Sequence, residues 1–394
     1  MASSAPKVAQ PERRDAPDVI DQQADELVAL IKKSKHFIVF TGAGVSTSAG
    51  IPDFRGPEGA WTLRAQGRTR TGKATSTLQA IPTPTHMALV ELQNQGVMKY
   101  LVSQNCDGLH RRSGILRVRT NSRLTRDYGS SFQERISELH GNSNRECCKD
   151  CGKEYIRDFR AVATYEKSVH DHRTGRKCTQ CGGNLHDTII NFGGSLPEEP
   201  LKLAQDHAKK ADLCLVLGSS LSVSPANGIP ETCGKSRKSK LIICNLQDTF
   251  MESLTDMHVW SESDELMTRV MDRLGFTIPA FILKRRLVIK YQKDTHDRQN
   301  VILTGIDDDG TLVTYLKSVK LEYNRRVAKA EPFAFTFRET LGDETRLTFV
   351  LEFMGHYNEP NLSVEYTITG EEVTETVYDL HYDPSIGEWG LTRI

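Results

Sequence analysis

Short apolar runs alternate with amphipathic segments over most of the chain. The runs of strand length lie at residues 37–40, 100–103, 213–217 and 241–244. Apolar positions spaced three or four apart predict helices at residues 24–34, 84–95, 199–210 and 267–275. Strands that alternate with helices indicate an α/β fold with a doubly wound, mostly parallel sheet.

Each of the four predicted strands runs into small or polar residues at its carboxyl end. In chain order these segments are Thr41-Gly42-Ala43-Gly44, Gln104-Asn105-Cys106-Asp107, Gly218-Ser219-Ser220 and Asn245-Leu246-Gln247. The carboxyl ends of parallel strands meet at one edge of a sheet, where open α/β sheets bind their ligands. The four segments therefore predict one large polar site. An ordinary need for turn residues would explain any one segment, but it explains four less well.

Gly42 and Gly44 directly follow a buried run, where a tight turn can direct backbone N–H groups toward a phosphate. The usual dinucleotide-binding fingerprint has a third glycine three residues later, but Thr47 stands there. The stretch Ile51-Pro52-Asp53-Phe54-Arg55-Gly56 then interrupts any long helix. The sequence thus predicts a Rossmann-like nucleotide site with an irregular loop in place of the usual helix.

The pattern changes after Pro279 to alternating or β-branched runs separated by turn residues. This change predicts an all-β, sandwich-like domain at residues 285–394, after an α/β domain at residues 23–278 and a flexible tail at residues 1–22. Residues 331–394 carry 13 acidic and 3 basic side chains, while the whole chain is neutral. The acidic end disfavours DNA binding by that part and weakly favours a basic partner.

Nine cysteines occur in a chain without an apolar segment typical of a secretory signal or a membrane span. Reduced thiols are therefore expected, and clustered cysteines indicate metal. Two CxxC pairs supply Cys148, Cys151, Cys178 and Cys181, which predict a closed structural zinc site in a module inserted within about residues 140–190. Cys147 is a competing ligand with a less typical spacing.

Several motifs occur in a fixed order: GAGVSTSAGIPDFRG, SQNCDGLH, ELHGN, two CxxC pairs, GSSLSVSPA and CNLQ. Together they resemble the sirtuins, a family of NAD-dependent protein deacylases, over roughly residues 24–276. The stretch PDFRGPEGAWTL is most similar to the nuclear branch that contains human sirtuins six and seven. The β-rich end lies outside the resemblance.

The resemblance implies NAD and one structural zinc ion, and it assigns roles to individual residues. His140 would be the general base, and Asn105 and Asp107 would be catalytic residues that hold the ribose and the nicotinamide amide. Of the other histidines, His110 is the next most plausible, but its motif position is not that of the base. The resemblance implies that a larger set of residues binds the cofactor. These are Gly42, Ala43, Gly44, Ser46, Asp53, Phe54, Arg55, Trp61, Gln104, Asn105, Asp107, Gly218, Ser219, Ser220, Asn245, Leu246, Gln247 and, as the weakest candidate, Ser263 on the adenine side.

An acylated lysine of a protein would enter as an extended peptide between two edges. The resemblance places Phe192 and Gly193 on one edge, and Val223 and Pro225 on the other. Family members often have an acidic residue after this Phe-Gly pair, whereas Gly194 stands here, which bears on substrate preference. Histones, association with chromatin and a nuclear location are implied by the branch alone, together with a short basic run at residues 235–240.

The implied activity is lysine deacylation that releases nicotinamide and O-acyl-ADP-ribose. Protein mono-ADP-ribosylation stays open, because it would use the same NAD site and His140. An inactive scaffold that binds NAD and zinc is a third possibility, against which the intact Asn105, Asp107 and His140 argue. An ordinary NAD dehydrogenase is disfavoured by the missing third glycine and by the zinc module.

One segment departs from the family pattern. Family members cross the region before the ELHGN motif in a few residues, but here an insertion spans residues 115–135 and contains five arginines. The insertion is interpreted first as a surface loop, second as a basic docking loop for nucleic acid or chromatin, and third as a defect of the gene product.

Overall fold

The structure is a computed structural model of the 394-residue chain. It describes residues 10–69, 74–115, 118–119, 132–133, 135–164, 168, 170–293, 298–307, 310–338, 341–369 and 371–394. Most of the arginine-rich insertion at residues 115–135 lies outside the described residues. The chain divides into two compact units. The first comprises Met1–Ser143, Val162–Arg173 and Asp187–Ala280, and the second comprises Asn144–Ala161, Thr174–His186 and Phe281–Ile394.

Helices and strands are numbered in chain order. The helices are α1 (Pro17–Lys33), α2 (Ala60–Ala65), α3 (Pro84–Asn94), α4 (Leu109–Ser113), α5 (Glu198–Lys210), α6 (Gly228–Gly234) and α7 (Ser263–Leu274), with a 3₁₀-helix at Ala43–Ala49. The strands are β1 (Phe37–Thr41), β2 (Met98–Ser103), β3 (Val118–Arg119), β4 (Phe132–Gln133), β5 (Ile136–Glu138), β6 (Arg145–Cys148), β7 (Glu154–Arg157), β8 (Arg173–Lys177), β9 (Asn184–Asp187), β10 (Leu213–Leu217), β11 (Lys240–Cys244), β12 (Met257–Val259), β13 (Leu283–Lys293), β14 (Gln299–Ile306), β15 (Leu312–Thr314), β16 (Leu316–Leu321), β17 (Arg326–Ala328), β18 (Phe333–Phe337), β19 (Arg346–Phe353), β20 (Leu362–Thr367), β21 (Val373–Asp383) and β22 (Glu388–Arg393).

The first unit is built on a six-stranded sheet in the order β12-β11-β10-β1-β2-β5. All of its strand pairs are parallel. The four strands predicted from apolar runs are β1, β2, β10 and β11, each within two residues of its expected bounds. The sequence missed β5 and β12 at the two sheet edges, because three-residue strands give too short a pattern to detect.

Helices cover both faces of this sheet, as the continuous burial of its central strands requires. Phe37 and Val39 of β1 face one core together with α1, α3 and α7, whereas Ile38 and Phe40 face a second core with α5 and α6. A strand that is buried on both faces reads as a continuous apolar run. The predicted doubly wound parallel sheet is therefore confirmed.

The first helix begins earlier than the sequence predicted. Helix α1 starts at Pro17, so residues 17–22 are helical where a flexible tail was expected at residues 1–22. Proline suits the first helical position, and Ile20 is buried on the same helix face as Ala24 and Leu27. The tail prediction failed here because a single apolar residue among polar ones does not reveal a periodic pattern.

The second unit consists of two sheets around a shared core. One sheet has the order β22-β21-β13-β14-β15-β7-β6-β9-β8, with β18 also paired to β14, and the other has the order β17-β16-β19-β20. Leu287 and Val301 of the first sheet and Val319 and Phe349 of the second belong to the same buried cluster. This arrangement agrees with the predicted sandwich-like, all-β region.

Strands of the cysteine-bearing module belong to this second unit. Strand β15 pairs in parallel with β7, with Leu312 opposite Tyr155 and Thr314 opposite Arg157. The Arg157 side chain also donates to the Thr314 hydroxyl at 2.6 Å. The module is an insertion along the chain, as predicted, but its strands extend the C-terminal sheet. Nothing in the sequence indicates this pairing, because strand pairing between distant segments leaves no local pattern.

Among the residues that the structure describes, no helix combines the length and the apolar character needed to cross a bilayer.

Candidate functional site

The strand order of the first unit defines a crevice at one edge of its sheet. The chain runs from β1 outward to β2 and β5 on one side, and from β10 outward to β11 and β12 on the other. The order therefore reverses between β1 and β10, and ligands of open α/β sheets bind beyond the carboxyl ends of the strands at such a point.

The glycine turn after β1 lies at this reversal and touches the loop after β10. Gly42 N donates to Leu217 O at 3.0 Å, and Gly44 N donates to Gly218 O at 2.9 Å. A Cβ atom on Gly42 would lie 2.6 Å from Gly218 O, and one on Gly44 would lie 2.6 Å from Gly218 Cα. Only glycine fits at either position, because the two backbones are in direct contact.

The 3₁₀-helix Ala43–Ala49 follows the turn in place of a long α-helix, as the missing third glycine predicted. It ends at Gly50, whose φ is +81°. Ala43 begins this helix, and its Ser46 hydroxyl is buried and donates to Asp107 Oδ2 at 2.7 Å. The turn after β1 is thereby tied to the loop after β2.

Asn105 and Asp107 lie together in that loop. The Asn105 amide donates to Gly42 O at 2.9 Å. The second carboxylate oxygen of Asp107, Oδ1, accepts from Leu109 N at 2.9 Å. Both oxygens of Asp107 accept hydrogen bonds, one from Ser46 and one from Leu109. Asn105, Asp107, Ser46 and Gly42 therefore form one continuous polar network.

Gln104 connects this network to the loop after β10. Its Nε2 donates to Ser219 Oγ at 2.8 Å. Ser220 shares a 2.9 Å hydrogen bond with Ser222. Gly218, which precedes these serines, has a φ of +59°, and its backbone packs directly against that of Gly44. Three of the four predicted strand-end segments are thus linked by direct contacts.

His140 follows β5 and contacts the same loop. Its Nδ1 lies 3.0 Å from Gln104 O. A carbonyl oxygen can only accept, so Nδ1 carries the proton and Nε2 presents a lone pair. Burial lowers the pKa of the imidazole from its usual value, and the Gln104 hydrogen bond partly opposes this effect. Among the described residues, Nε2 has no hydrogen-bond partner.

A glycine turns the chain immediately after His140. Gly141 has a φ of +79°, and a Cβ atom at this position would lie 1.8 Å from Thr188 O. The segment after β9 also holds the histidine backbone, since Ile190 N donates to His140 O at 3.1 Å. On the other side of the histidine, Leu139 N donates to Ser103 O at 2.9 Å, so the backbone is fixed on both sides of His140.

His110 occupies a different environment from His140. It is buried, and its Nε2 lies 2.9 Å from the Thr41 hydroxyl at the end of β1. Burial, together with a smaller contribution from the neighbouring His86, lowers its pKa to about 3. These contacts fit a structural histidine beneath the glycine turn, and they agree with the assignment of the base to His140. The pairing of His110 with His86 was not visible in the sequence.

The loop after the 3₁₀-helix contains the predicted cofactor residues Asp53, Phe54 and Arg55, and Trp61 lies on the short helix α2 that follows. Asp53 caps its own turn by accepting from Gly56 N at 3.1 Å. Burial lowers the pKa of Arg55, and Asp53 opposes the shift. Trp61 stacks on Phe54 with 6.2 Å between ring centroids and meets the Phe192 ring edge-on at 5.6 Å. The aromatic contact joins the loop to the first predicted substrate edge.

The two predicted substrate edges are partly open. Phe192 is 55% exposed, and no atom lies within 4 Å of a Cβ placed on Gly193. On the second edge, Val223 O accepts from Asn227 N at 3.0 Å, while Pro225 is exposed. The substrate roles of these four residues stay predictions.

The fourth strand-end segment follows β11. The Asn245 amide donates to Gln247 O at 2.7 Å, and the Gln247 amide donates to Gln10 O at 2.7 Å. Leu246 O accepts from Arg13 N. Ser263, the first residue of α7, is buried and receives the Thr85 hydroxyl hydrogen at 3.1 Å. The sequence missed the N-terminal residues at this loop, because they were interpreted as part of a flexible tail.

The four CxxC cysteines meet in the second unit. Their Sγ atoms all lie within 4.8 Å of one another, with Cys148 and Cys181 3.5 Å apart and Cys151 and Cys178 3.6 Å apart. Tetrahedral zinc with bonds of about 2.3 Å sets its sulfur ligands about 3.8 Å apart, so the group fits this metal. Four thiolates fill the coordination sphere and leave no position for a reactant.

The two CxxC turns share one backbone design, which explains why the cysteines converge. Each ends in a glycine of positive φ, Gly152 at 72° and Gly182 at 74°. Gly152 N donates to Cys148 O, and Gly182 N donates to Cys178 O, both at 2.9 Å. Cys147 lies on β6 outside the four-cysteine group.

The structure combines a Rossmann-like nucleotide crevice, a histidine held in one tautomer and a four-cysteine module. These features define a class of protein that comparison with known proteins identifies. A family model described as the Sir2 family matches residues 68–225. The chain is 35% identical to the NAD-dependent protein deacetylase SRT1 of Arabidopsis thaliana over 384 residues, which cover 92% of this chain and 76% of the relative.

Two animal relatives refine the placement. The NAD-dependent protein deacetylase sirtuin-7 of Homo sapiens is 40% identical over 277 residues, 68% of this chain and 64% of the relative. The NAD-dependent protein deacetylase Sirt6 of Drosophila melanogaster is 37% identical over 280 residues, 69% of this chain and 81% of the relative. The chain therefore belongs to the Sir2 family, the sirtuins, near the branch of sirtuins six and seven.

Proposed function

We propose that this protein is an NAD-dependent protein-lysine deacylase that releases nicotinamide and O-acyl-ADP-ribose. One arrangement supports the assignment beyond family membership. His140, which follows β5, presents an Nε2 without a partner among the described residues, beside the loop after β2 that holds Gln104, Asn105 and Asp107. A base that is neutral near neutral pH is what the reaction needs.

NAD supplies an electrophilic ribose carbon when its nicotinamide departs, and it thereby turns the weakly reactive lysine amide into a nucleophile. The residues of the crevice bind and orient. The glycine turn Gly42–Gly44 would line the phosphate site at the start of the 3₁₀-helix, with Ser219 and Ser220 beside it. Asn105 and Asp107 hold the hydroxyl and carboxamide groups of the ribose–nicotinamide end, and His140 Nε2 accepts the proton that a ribose hydroxyl gives up.

Zinc would be held by Cys148, Cys151, Cys178 and Cys181 and would fix the two CxxC turns. Its closed coordination assigns it a structural role. We also propose that Asp53, Phe54, Arg55 and Trp61 cover the nicotinamide end, since Trp61 already contacts Phe192 at the predicted peptide edge.

The test is nicotinamide release from NAD with an acetyl-lysine peptide, beside a long-chain acyl version. Wild type should release nicotinamide and O-acyl-ADP-ribose in equal amounts only when peptide is present. His140→Ala should lose both products, whereas His170→Ala, at an exposed histidine, should lose neither. Nicotinamide release with ADP-ribose attached to protein, and no O-acyl product, would favour mono-ADP-ribosylation. No turnover by folded, zinc-loaded protein would favour the scaffold.

We further propose a nuclear location and acylated histone tails as substrates. Two observations support this: the human relative sirtuin-7 and the basic run at residues 235–240. In that run Lys235 pairs with Glu231 and Lys240 pairs with Asp256, so Arg237 and Lys238 are the exposed candidates for recognition. Replacing both by glutamine in a fluorescent fusion should reduce nuclear accumulation, and an unchanged distribution would contradict the role of this run.

A further inference from the structure

Residues 10–15, here called the N-terminal strap, lie across the loops that follow β11 and β12. Three backbone-directed hydrogen bonds hold them there. The Gln247 amide donates to Gln10 O at 2.7 Å, and Arg13 N donates to Leu246 O at 2.7 Å. Asp15 N donates to Trp260 O at 2.8 Å. The strap therefore contacts the loop Asn245–Gln247 through its main chain.

Side chains of the strap add contacts on the same surface. The Arg13 guanidinium lies 3.1 Å from Asp248 and 5.6 Å from the centre of the Trp260 ring. Trp260 in turn stacks on His258 at 4.3 Å between ring centroids, and His258 Nε2 lies 3.1 Å from Asn245 O. A continuous series of contacts thus runs from the strap to both ends of the loop.

These contacts fix the groups that the loop can offer to a ligand. The Gln247 backbone oxygen accepts from the Asn245 side chain, while the Gln247 amide nitrogen is engaged by the strap. Such a loop does not have to be ordered when a ligand binds, so the entropic cost of binding falls. Strand β11 is the neighbour of β10, and Gly218, which directly follows β10, donates through its N to Cys244 O at the end of β11. The loop therefore belongs to the same carboxyl edge as the glycine turn.

We propose that the N-terminal strap positions the loop Asn245–Gln247 for the adenosine end of NAD, and that it thereby sets the affinity for the cofactor without affecting the chemical step. The inference rests on the proposed function, because it takes this loop as part of the NAD site. The strap acts through the loop and is a positioning element.

The experiment compares full-length protein with a chain that lacks residues 1–14 and with Arg13→Ala. Binding of ADP-ribose is measured by calorimetry, and KM for NAD, KM for acetyl-peptide and kcat are measured by nicotinamide release. The truncation removes the two main-chain hydrogen bonds of Gln10 and Arg13 together with the Arg13–Trp260 contact, and it should weaken ADP-ribose binding and raise KM for NAD about tenfold. Arg13→Ala removes only the side-chain contacts with Asp248 and Trp260, and it should change both quantities in the same direction by about two- to fivefold. The peptide KM and kcat should stay within about twofold.

Arg14→Ala is the matched control. Arg14 belongs to the strap but pairs with Glu262 in an exposed ion pair, and such pairs contribute little. Its NAD affinity should equal that of wild type. Arg13→Ala keeps the whole chain, so it tests the proposal even where the truncated protein folds poorly. A merely structural strap would lower the thermal stability of ligand-free protein and change both KM values and kcat together.

The outcomes separate the inference from the proposed function. If wild type binds ADP-ribose and both strap variants bind it as tightly as wild type does, the inference alone is overturned. Wild type that binds neither NAD nor ADP-ribose would overturn both. Wild type that binds ADP-ribose without turnover would leave the proposed deacylase unsupported, and the binding measurement would then decide on the strap by itself.

Discussion

Arg285 and Asp158 form an ion pair within the second unit, with Arg285 Nη2 2.9 and 2.6 Å from the two carboxylate oxygens. Asp158 follows β7 of the zinc module, and Arg285 lies on β13 of the C-terminal sheet. The backbone reinforces the link, since Asp158 N donates to Thr314 O at 2.9 Å and the His356 ring contacts Asp158 O. Zinc module and β region are therefore joined by charge as well as by strand pairing.

Removing one partner of this pair should strongly destabilise the second unit. The two side chains are only 13% and 10% exposed, so Asp158→Ala leaves a buried guanidinium without its counter-charge. The expected loss is about 3–5 kcal/mol in the free energy of unfolding, measured by urea denaturation. Lys317→Ala, which breaks the exposed pair with Glu352, should cost less than about 1 kcal/mol. Equal losses would show that the buried pair is not important for stability.

Loss of zinc should loosen the β region as well as the cysteine turns. Strand β7 pairs with β6 on one side and with β15 on the other, and Tyr155 of β7 contacts Cys178 Sγ at 3.1 Å. Because metal binding contributes to folding, chelation removes support from this shared sheet. Hydrogen exchange at the amides of β15 should accelerate after chelation under reducing conditions.

Single cysteine variants provide the control for chelation. Cys178→Ser should reproduce the faster exchange in β15 without any chelator, because it removes one of the four ligands. Cys147→Ser should still bind one zinc ion per chain, since Cys147 lies outside the four-cysteine group. Its β15 amides should exchange as slowly as those of wild type. Unchanged β15 protection in metal-free protein would show that the strand pairing is independent of the metal.

The glycine turn and the cysteine turns were accessible to sequence reasoning because their function depends on local residue types. Gly42, Gly44 and the CxxC pairs are required by close backbone approach and by ligand chemistry, which few other residues satisfy. The buried strands β1 and β10 were equally visible, because each is apolar along its whole length.

Features that depend on distant contacts were not accessible. The pairing of β15 with β7 joins segments more than 150 residues apart, Thr314 opposite Arg157, and neither strand signals the other. The strap at residues 10–15 reads as polar and proline-containing, so only its contacts with Leu246 and Trp260 reveal its place. His86 and His110 also meet only in three dimensions.

The acid limb of the pH–rate profile should reflect His140. Burial lowers the pKa of this imidazole in the folded protein, so the neutral, proton-accepting form persists below the usual pKa of about 6.5. Deacylation should therefore hold constant from neutral pH to below that value and decline only at more acidic pH. His140→Ala should lower kcat/KM about 100-fold or more and abolish the limb. A limb at or above pH 6.5 would contradict the burial effect.

Folding should become less favourable as the pH falls below neutral, because of the pair His86 and His110. The rings are buried with 4.6 Å between centroids, and burial lowers the pKa of each to about 3. The unfolded chain binds protons below about pH 6.5 while the folded chain does not, so stability present above that pH is lost between 6.5 and 3. Each histidine contributes about 1.4 kcal/mol per pH unit.

Urea denaturation between pH 7 and pH 5 measures this dependence. His86→Leu should give a shallower decline of unfolding free energy with falling pH, whatever its stability at pH 7. His170→Ala, at an exposed histidine, should keep the wild-type slope. Identical slopes in all three proteins would show that the buried pair does not control acid stability.

The acidic surface of the C-terminal region should favour basic substrates. Glu371, Glu372 and Glu375 are exposed at the start of β21, in a region with 13 acidic and 3 basic residues. Changing all three to glutamine should raise KM about two- to fivefold for a lysine- and arginine-rich acyl peptide at low salt, and should leave a neutral peptide unaffected. Substitution is a better test than deletion of residues 285–394, because deletion would also remove the β15 partner of β7.

A matched triple variant separates local charge from net charge. Asp18, Glu26 and Asp272 are exposed acidic residues of the first unit, and their change to glutamine alters net charge by the same amount. This control should have the wild-type KM for both peptides. At high salt the rise in KM of the C-terminal variant should become smaller, because exposed charges are then screened. The difference in KM between this variant and the control should become smaller for the same reason. Equal KM changes in the two triple variants would mean that net charge, and not the C-terminal surface, attracts basic substrates.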